Sequence, residues 1–399
     1  MRLTILSGSA SASALAACAS IAAFALFSPS ASAQFQVHPP RGGASAGGDP
    51  ENPDSDRFGT AVAIRSGLAF ISAPSLRTGG VVVVYTATPT ALIPAGVELR
   101  PSNPEPFERF GLALTYRDGI LVAGSDRAAY VFKRNSSGVW TQRQRITPPG
   151  TARYEDGTLA ISASGVIYIY QQNAAGKFVV RQKLSSPDGA PDDRLGDISM
   201  AGPTMVAGGR GRAYVFRRTS TGVWRHRQTL IASELGTEDG VRAGFGVSVA
   251  IDRGMIIVGA PFLAVDPIDP IWPEGAAYGF TLAGGTYVEA FKLQPLMEGY
   301  GGFQALFGYT LAIFAERIVV GAYESVNVGG VLDCDFFDGA VFTYTRAGSS
   351  VLPRGVAFSR GRHHSLALAD QRLLVGTPCI DSSFPTPGRA TLFLLNVFQ

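Results

Sequence analysis

Phe245-Gly246-Val247-Ser248-Val249-Ala250 is followed by Asp252-Arg253-Gly254 and then Ile256-Ile257-Val258-Gly259-Ala260-Pro261. After a longer connection come Ala277-Tyr278-Gly279-Phe280 and the apolar-alternating stretch Tyr287 to Leu293. Alternation of period two, broken by turn residues, reads as four consecutive β-strands. The same phrase returns along the chain at intervals of roughly fifty residues, and such a period marks copies of one small unit that cannot bury its apolar face alone.

Working outward, copy one starts at Phe58-Gly59 and continues through Phe70-Ile71-Ser72-Ala73-Pro74 and Val81 to Tyr85. Copy two starts at Phe110-Gly111, with Leu121-Val122-Ala123-Gly124, Ala129-Tyr130-Val131-Phe132 and Trp140 to Ile146. Copy three has lost the Phe-Gly but keeps Leu159-Ala160-Ile161-Ser162, Val166 to Tyr170 and Phe178 to Leu184. Copy four carries Leu195-Gly196, Met205-Val206-Ala207-Gly208, Ala213 to Phe216 and Trp224 to Leu230. Copy six has Phe307-Gly308, Ile318 to Ala322 and Ala340 to Tyr344, and copy seven has Leu373 to Pro378 and Ala390 to Phe393. Capped helical periodicity is nearly absent, so an all-β chain is expected. Seven four-stranded units around an axis make a seven-bladed β-propeller of antiparallel blades, which leaves few exposed edges.

Copy seven stops after its third strand. Gln34-Phe35-Gln36-Val37-His38-Pro39 matches outer strands such as Gln144-Arg145-Ile146-Thr147-Pro148. The mature N-terminal strand is therefore expected to complete the last blade and close the ring. The alternative is a frayed tail.

Composition agrees with many short strands. Among 399 residues there are 48 Gly and 25 Pro, 46% are hydrophobic and 16% charged, with a net charge of +3. No basic block suggests a nucleic-acid partner. Residues 1–33 read as a signal peptide: Arg2, an apolar stretch from Ala12 to Phe27, and Ala31-Ser32-Ala33 as the cleavage site. Residues 34–399 then form the propeller, secreted or held in the periplasm or at the cell surface. Leu15-Ala16-Ala17-Cys18 also resembles a lipobox, so lipidation at Cys18 is the competing reading. Export leaves Cys334 and Cys379 in an oxidising compartment, where a bridge between them is expected over two isolated thiols.

Phe245-Gly246 with Val258-Gly259-Ala260-Pro261 gives the chain its resemblance to the FG-GAP repeat proteins, which include the integrin α-subunit propeller. The Tyr130 to Phe132 and Trp140 to Gln142 continuation is similar to that of the secreted bacterial type. This resemblance spans almost all of residues 34–399 and implies extracellular recognition or adhesion. Integrin-type repeats carry a calcium loop between strands one and two. Here that connection is Ser66-Gly67, Arg117-Asp118-Gly119, Asp252-Arg253-Gly254 or Glu316-Arg317, too poor in carboxylates for a six- to eight-oxygen site. A weak metal candidate is Asp333, Asp335 and Asp338. No cofactor is expected.

Other constellations are sparse. Asp56-Arg57-Phe58, Glu108-Arg109-Phe110 and Asp193-Arg194-Leu195 could form a ring of ion pairs around one mouth of the channel, but since surface pairs contribute little they are read as caps on strand ends that keep the rim soluble. His363-His364 opens copy seven, and Asp197 and Ser199 are the other polar candidates for the channel wall, which otherwise reads as small and apolar. No convergent catalytic set emerges, so a hydrolase or lyase at the channel mouth is the alternative reading, and a structural envelope component a third. The long connections carry recognition residue types instead: Asp266, Asp269 and Trp272, then Tyr300 with Phe303, then Phe336 and Phe337. The expected activity is non-catalytic binding of an extracellular protein or glycan by a monomer, on the long-loop face of copies five to seven.

Overall fold

The computed structural model describes residues 34–37, 57–74, 79–89, 91–105, 108–189, 195–264, 273–295, 306–322, 338–348, 350–360, 365–369, 371–378 and 388–395. They form seven four-stranded antiparallel sheets, the blades of a seven-bladed β-propeller. From inner to outer strand, blade 1 is Val62–Arg65, Leu68–Ala73, Val81–Ala87 and Leu92–Leu99. Blade 2 is Ala113–Arg117, Ile120–Gly124, Ala129–Arg134 and Trp140–Ile146, and blade 3 is Thr151–Glu155, Thr158–Ala163, Val166–Gln172 and Phe178–Leu184. Blade 4 is Ile198–Ala201, Thr204–Gly208, Ala213–Arg218 and Trp224–Leu230, and blade 5 is Val249–Asp252, Met255–Ala260, Ala276–Ala283 and Thr286–Leu293. Blade 6 is Thr310–Phe314, Arg317–Ala322, Asp338–Ala347 and Ser350–Arg360. Blade 7 runs Ser365–Ala369, Arg372–Thr377 and Arg389–Leu394, with Gln34–Val37 placed antiparallel to the last of these, Gln34 opposite Phe393.

No blade owns a core. Each hydrophobic cluster takes one face from each of two neighbouring blades. Phe58, Val62, Ile71 and Tyr85 of blade 1 pack with Leu374, Ala390 and Leu392 of blade 7. Phe70 and Val84 on the other face of blade 1 pack with Phe110, Leu121 and Tyr130 of blade 2. This sharing continues around the circle, and the contact between blades 7 and 1 closes it in space. Arg372 of blade 7 adds a hydrogen bond from Nη1 to the Ala87 carbonyl of blade 1, at 2.5 Å.

The Phe-Gly and Gly-Ala-Pro phrases are two halves of one joint between blades. The Phe is a core anchor: Phe58, Phe110, Phe245 and Phe307 are buried. Phe245 meets Tyr278 and Phe280 edge-on, and Phe307 meets Phe342 and Tyr344 in the same way. The following Gly has a positive φ, 97° at Gly246 and 93° at Gly308. At Gly246, Gly308 and Gly59 its carbonyl sits against a Gly at or next to the end of strand two of the preceding blade. A Cβ on Gly208 would lie 1.9 Å from the Gly246 oxygen, and one on Gly259 would lie 2.0 Å from the Gly308 oxygen. Gly376 of blade 7 and Gly59 of blade 1 repeat the joint across the closure, at 2.2 Å. The Phe carbonyl is received likewise by the Gly preceding strand three: Gly80 faces Phe110, Gly275 faces Phe307 and Gly388 faces Phe58.

Several readings of the sequence need correction. Blade 1 has an outer strand, Leu92–Leu99, concealed by Pro94 and Gly96, and proline is tolerated there because an outer strand needs no second ladder partner. Blade 3 has an inner strand at Thr151–Glu155 without any Phe-Gly to announce it. A short helix, α1 (Thr237–Ala243), interrupts the all-β pattern between blades 4 and 5. It is too short for an apolar period. Glu238 and Asp239 in its first turn, Arg242 in its last and Gly244 at φ 67° supply the end signals. The connections between strands two and three are not uniformly long. In blade 3 that connection is the two-residue turn Ser164-Gly165, with φ of 50° and 81°. No helix among the described residues is long and apolar enough to cross a membrane. The signal-peptide and lipobox residues, and both Cys334 and Cys379, lie outside the described residues.

Candidate functional site

The inner strands surround a channel of about 1550 Å³. An inner strand pairs on one side only, so half of its backbone N–H and C=O groups face the channel without a ladder partner. Side chains of the preceding blade take up several of these groups. Tyr154 N–H of blade 3 donates to Thr115 Oγ1 of blade 2 at 3.4 Å. Val249 and Ile251 N–H of blade 5 donate to Asp197 Oδ2 and Ser199 Oγ of blade 4, at 3.1 and 3.2 Å. Ala315 N–H, just past the inner strand of blade 6, donates to Asp252 Oδ2 of blade 5 at 2.6 Å. At the closure Ser365 Oγ of blade 7 donates to the Gly59 carbonyl at 2.9 Å.

Asp197 is the most heavily engaged of these groups. Beyond Val249 it accepts from its own neighbour Ile198 N–H at 3.0 Å and from Arg153 Nη2 of blade 3 at 3.3 Å. One carboxylate therefore joins three blades. It is enclosed by the channel wall, with 25% of its side-chain surface open to the lumen. Enclosure pushes its pKa above the ordinary carboxylate range, while Arg153 and the two backbone N–H groups pull the other way. Farther along the wall Glu155 is raised by burial, against the pull of its Arg117 partner, and Arg117 also reaches Asp118 and Asp156 at 3.6 Å each.

The channel wall is thus more polar than its expected small, apolar character. Asp197 and Ser199 do line it, and so do Arg65, Thr115, Arg117, Arg153, Glu155 and Asp252. Arg65, Arg117, Glu155 and Asp252 end their strands beside tight turns, where charged residues are unremarkable, and Thr115 and Arg153 sit mid-strand with no sequence signal that they face the channel. Each channel carboxylate is already bonded to a guanidinium or a backbone N–H, an arrangement suited to stitching blades together. Among the described residues no cluster of three His, Cys, Asp or Glu side chains is placed to hold a metal. The connections between strands one and two at Ser66-Gly67, Asp118-Gly119 and Arg253-Gly254 have positive φ at both residues, the conformation of tight hairpin turns.

Glu108 pairs with neither of the rim arginines Arg109 and Arg127. It is 0% exposed, accepting from Ser125 Oγ at 2.6 Å and Tyr130 Oη at 2.7 Å, whereas Arg109 pairs with Asp126 at 3.3 Å. Burial, then the bond to Glu108, pushes the Tyr130 phenol up to about 12. Tyr278 repeats the contact by donating to Glu234 at 2.5 Å. The Tyr of strand three and a carboxylate from the preceding connection form a latch, and the Ala-Tyr phrase of the sequence carried its signal.

The recognition candidates on the long connections, Asp266, Asp269, Trp272, Tyr300, Phe303, Phe336 and Phe337, lie outside the described residues, as do His363, His364, Asp56, Asp193, Arg194, Asp333 and Asp335. Asp338 opens the third strand of blade 6, opposite Arg360. Phe262, at the start of connection 261–275, is 43% exposed beside the C-terminus of α1, where its backbone N–H donates to Ala243.

No protein-family model matches the chain, and no curated protein matches it. Solved propellers do resemble it. The β-propeller domain of Myceliophteria thermophila Cps50 (Swd1) gives a TM-score of 0.52 at 12% identity, covering 84% of this chain and 96% of that one. A Lactobacillus plantarum protein gives 0.46 at 12% identity, covering 75% of this chain and 83% of that one. At such identities the likeness is one of fold.

The channel chemistry yields a signed pH test. The folded chain holds the Asp197 proton more tightly than the unfolded chain, so this group's contribution to stability falls as pH rises from the unfolded pKa through the folded one. Asp197→Asn should gain stability relative to the parent as pH rises from about 4 to about 7, in urea unfolding across that range. A parent-to-variant difference that is constant with pH contradicts the assignment.

Proposed function

We propose that this protein is a non-catalytic extracellular recognition module that holds a protein or glycan on the face bearing its long connections. The supporting observation is the uneven length of those connections. In blades 2 to 4 strands two and three are joined by the short segments 125–128, 164–165 and 209–212, whereas in blades 5 to 7 they are joined by 261–275, 323–337 and 378–388. A rigid ring that extends its loops on one sector of one face has the form of a recognition surface over a scaffold. The exposed ring of Phe262 lies at the base of that sector. The glycine joint supports an FG-GAP type of repeat, and export with removal of residues 1–33, a Cys334–Cys379 bridge and a monomeric state belong to the same reading. The channel carboxylates, all engaged in bonds to neighbouring blades, favour it over a hydrolase or lyase.

Trp272→Ala and Phe336→Ala should weaken capture in a screen of surface glycans and extracellular proteins while leaving the melting temperature unchanged. Loss of binding in step with loss of stability would assign those rings to covering the blades. The reading also includes the N-terminal strand as the latch of the ring, since Phe35 stands opposite Leu392 and Val37 opposite Ala390. A chain beginning at residue 41 should melt several degrees lower and self-associate through the uncovered edge of Arg389–Leu394. An unchanged melting temperature and a monodisperse product argue against the latch.

A further inference from the structure

The outer strands of blades 1 to 6 share a register shift, and those of the adjacent blades 2, 3 and 4 all place an exposed arginine in it, away from the recognition face. Each pairs with strand three through a register shift at the same level, between Val131 and Phe132, Ile169 and Tyr170, and Val215 and Phe216. The residue skipped in the outer strand is Arg143, Arg181 and Arg227 in turn. A bulge leaves its extra residue without a cross-strand partner. All three arginines are exposed, and none forms an ion pair among the described residues. Blade 5 has Ala290 at this level and blade 1 has Ala95-Gly96, while blade 6 has Arg354, which is only half-exposed and does not adjoin blades 2 to 4.

The three outer strands themselves carry charge of one sign. Trp140–Ile146, Phe178–Leu184 and Trp224–Leu230 contain no Asp or Glu, and they add Arg145, Lys183 and Arg225. Arg145 is engaged by Glu105 at 2.7 Å, and Lys183 lies 5.1 Å from the centre of the Tyr168 ring. The spacing between blades is held by glutamine clamps. Gln144 donates to the Phe178 carbonyl and accepts from its N–H, both at 2.8 Å. Gln182 grips Trp224 in the same way at 2.7 and 2.8 Å, and Gln228 grips Tyr287 at 2.7 Å twice. Three cations, one per blade, are thus mounted on strands tied side by side.

We propose that this outer rim binds a linear acidic polysaccharide of the uronic-acid class. Positive charge on an edge strand deters another strand from adding to it, which excludes the usual protein partner of a sheet edge. No single pocket gathers the three guanidiniums, so a compact anion meets one of them, while a polymer with a carboxylate on every sugar meets all three. Guanidinium groups match carboxylates in a bidentate fork. Nucleic acid fits less well, because single strands are held by aromatic stacking and the large exposed apolar residues of this rim, Val139, Val180 and Val223, are aliphatic, with Trp224 only 2% exposed. This inference uses strands remote from the long connections and stands independently of the recognition face.

The test uses the mature chain and immobilised polygalacturonate, with neutral dextran and duplex DNA as comparison matrices. The parent protein should be retained on polygalacturonate and not on dextran, with retention falling as NaCl rises. Arg143→Gln, Arg181→Gln and Arg227→Gln combined should lower the affinity at least about tenfold, since each lost charge contact weakens binding, while the melting temperature is unchanged. Trp272→Ala should leave polygalacturonate retention intact. No retention of the parent, equal retention of the triple variant, or tighter retention on duplex DNA overturns the proposal.

Discussion

The close approach of glycine to glycine between blades is the constraint on which the remaining structure depends. A carbonyl of one blade occupies the volume that a Cβ would fill in the blade before it, at Gly208, Gly259 and Gly376. This proximity sets how tightly neighbouring sheets approach, and hence whether their facing side chains interlock. The hydrophobic clusters all lie between blades. Any widening of the joint therefore loosens the hydrophobic clusters that the described residues form. Where a glycine of the joint is absent, another device replaces it: Ser162 of blade 3 donates its hydroxyl to the Leu195 carbonyl at 2.8 Å.

The second constraint is the accounting of edges. A ring of sheets leaves an inner and an outer edge on every blade, each with unpaired backbone groups. At the inner edge the solution is a set of polar side chains that reach from one blade to the next, with Asp197 the hub. At the outer edge Gln144, Gln182 and Gln228 tie neighbouring strands together, and arginines occupy the bulges of blades 2 to 4. The same demand thus explains the polar side chains that line the channel and the arginines carried on the rim. The function proposed for the long connections is compatible with both, since neither edge needs those loops.

Much of the fold was legible because it is periodic. Apolar alternation placed most of the strands, and the Phe-Gly and Gly-Ala-Pro phrases marked the joints. Legibility failed where local physics is overridden. Pro94 and Gly96 interrupt the alternation of Leu92–Leu99, yet an outer strand tolerates both. Thr151–Glu155 carries a polar pattern because its side chains serve the channel. α1 has end signals without a period. The channel network was the least visible part, since it depends on which strand ends meet across blades, and Arg153 with Asp197 is a pairing separated by a whole repeat. The glutamine clamps were more accessible, because Gln144, Gln182 and Gln228 each stand two residues before the last residue of an outer strand.

The most direct measurement of the glycine joint is the unfolding free energy of alanine variants in urea. Gly259→Ala and Gly376→Ala place a methyl group 2.0 and 2.2 Å from a backbone oxygen that cannot move without parting two blades. Gly196→Ala lies at the same repeat position as Gly246, but its nearest neighbour is 3.9 Å away. The account requires a loss of about 3 kcal/mol or more for each of the first two and under about 1 kcal/mol for Gly196→Ala. Equal and small losses at all three positions would contradict it.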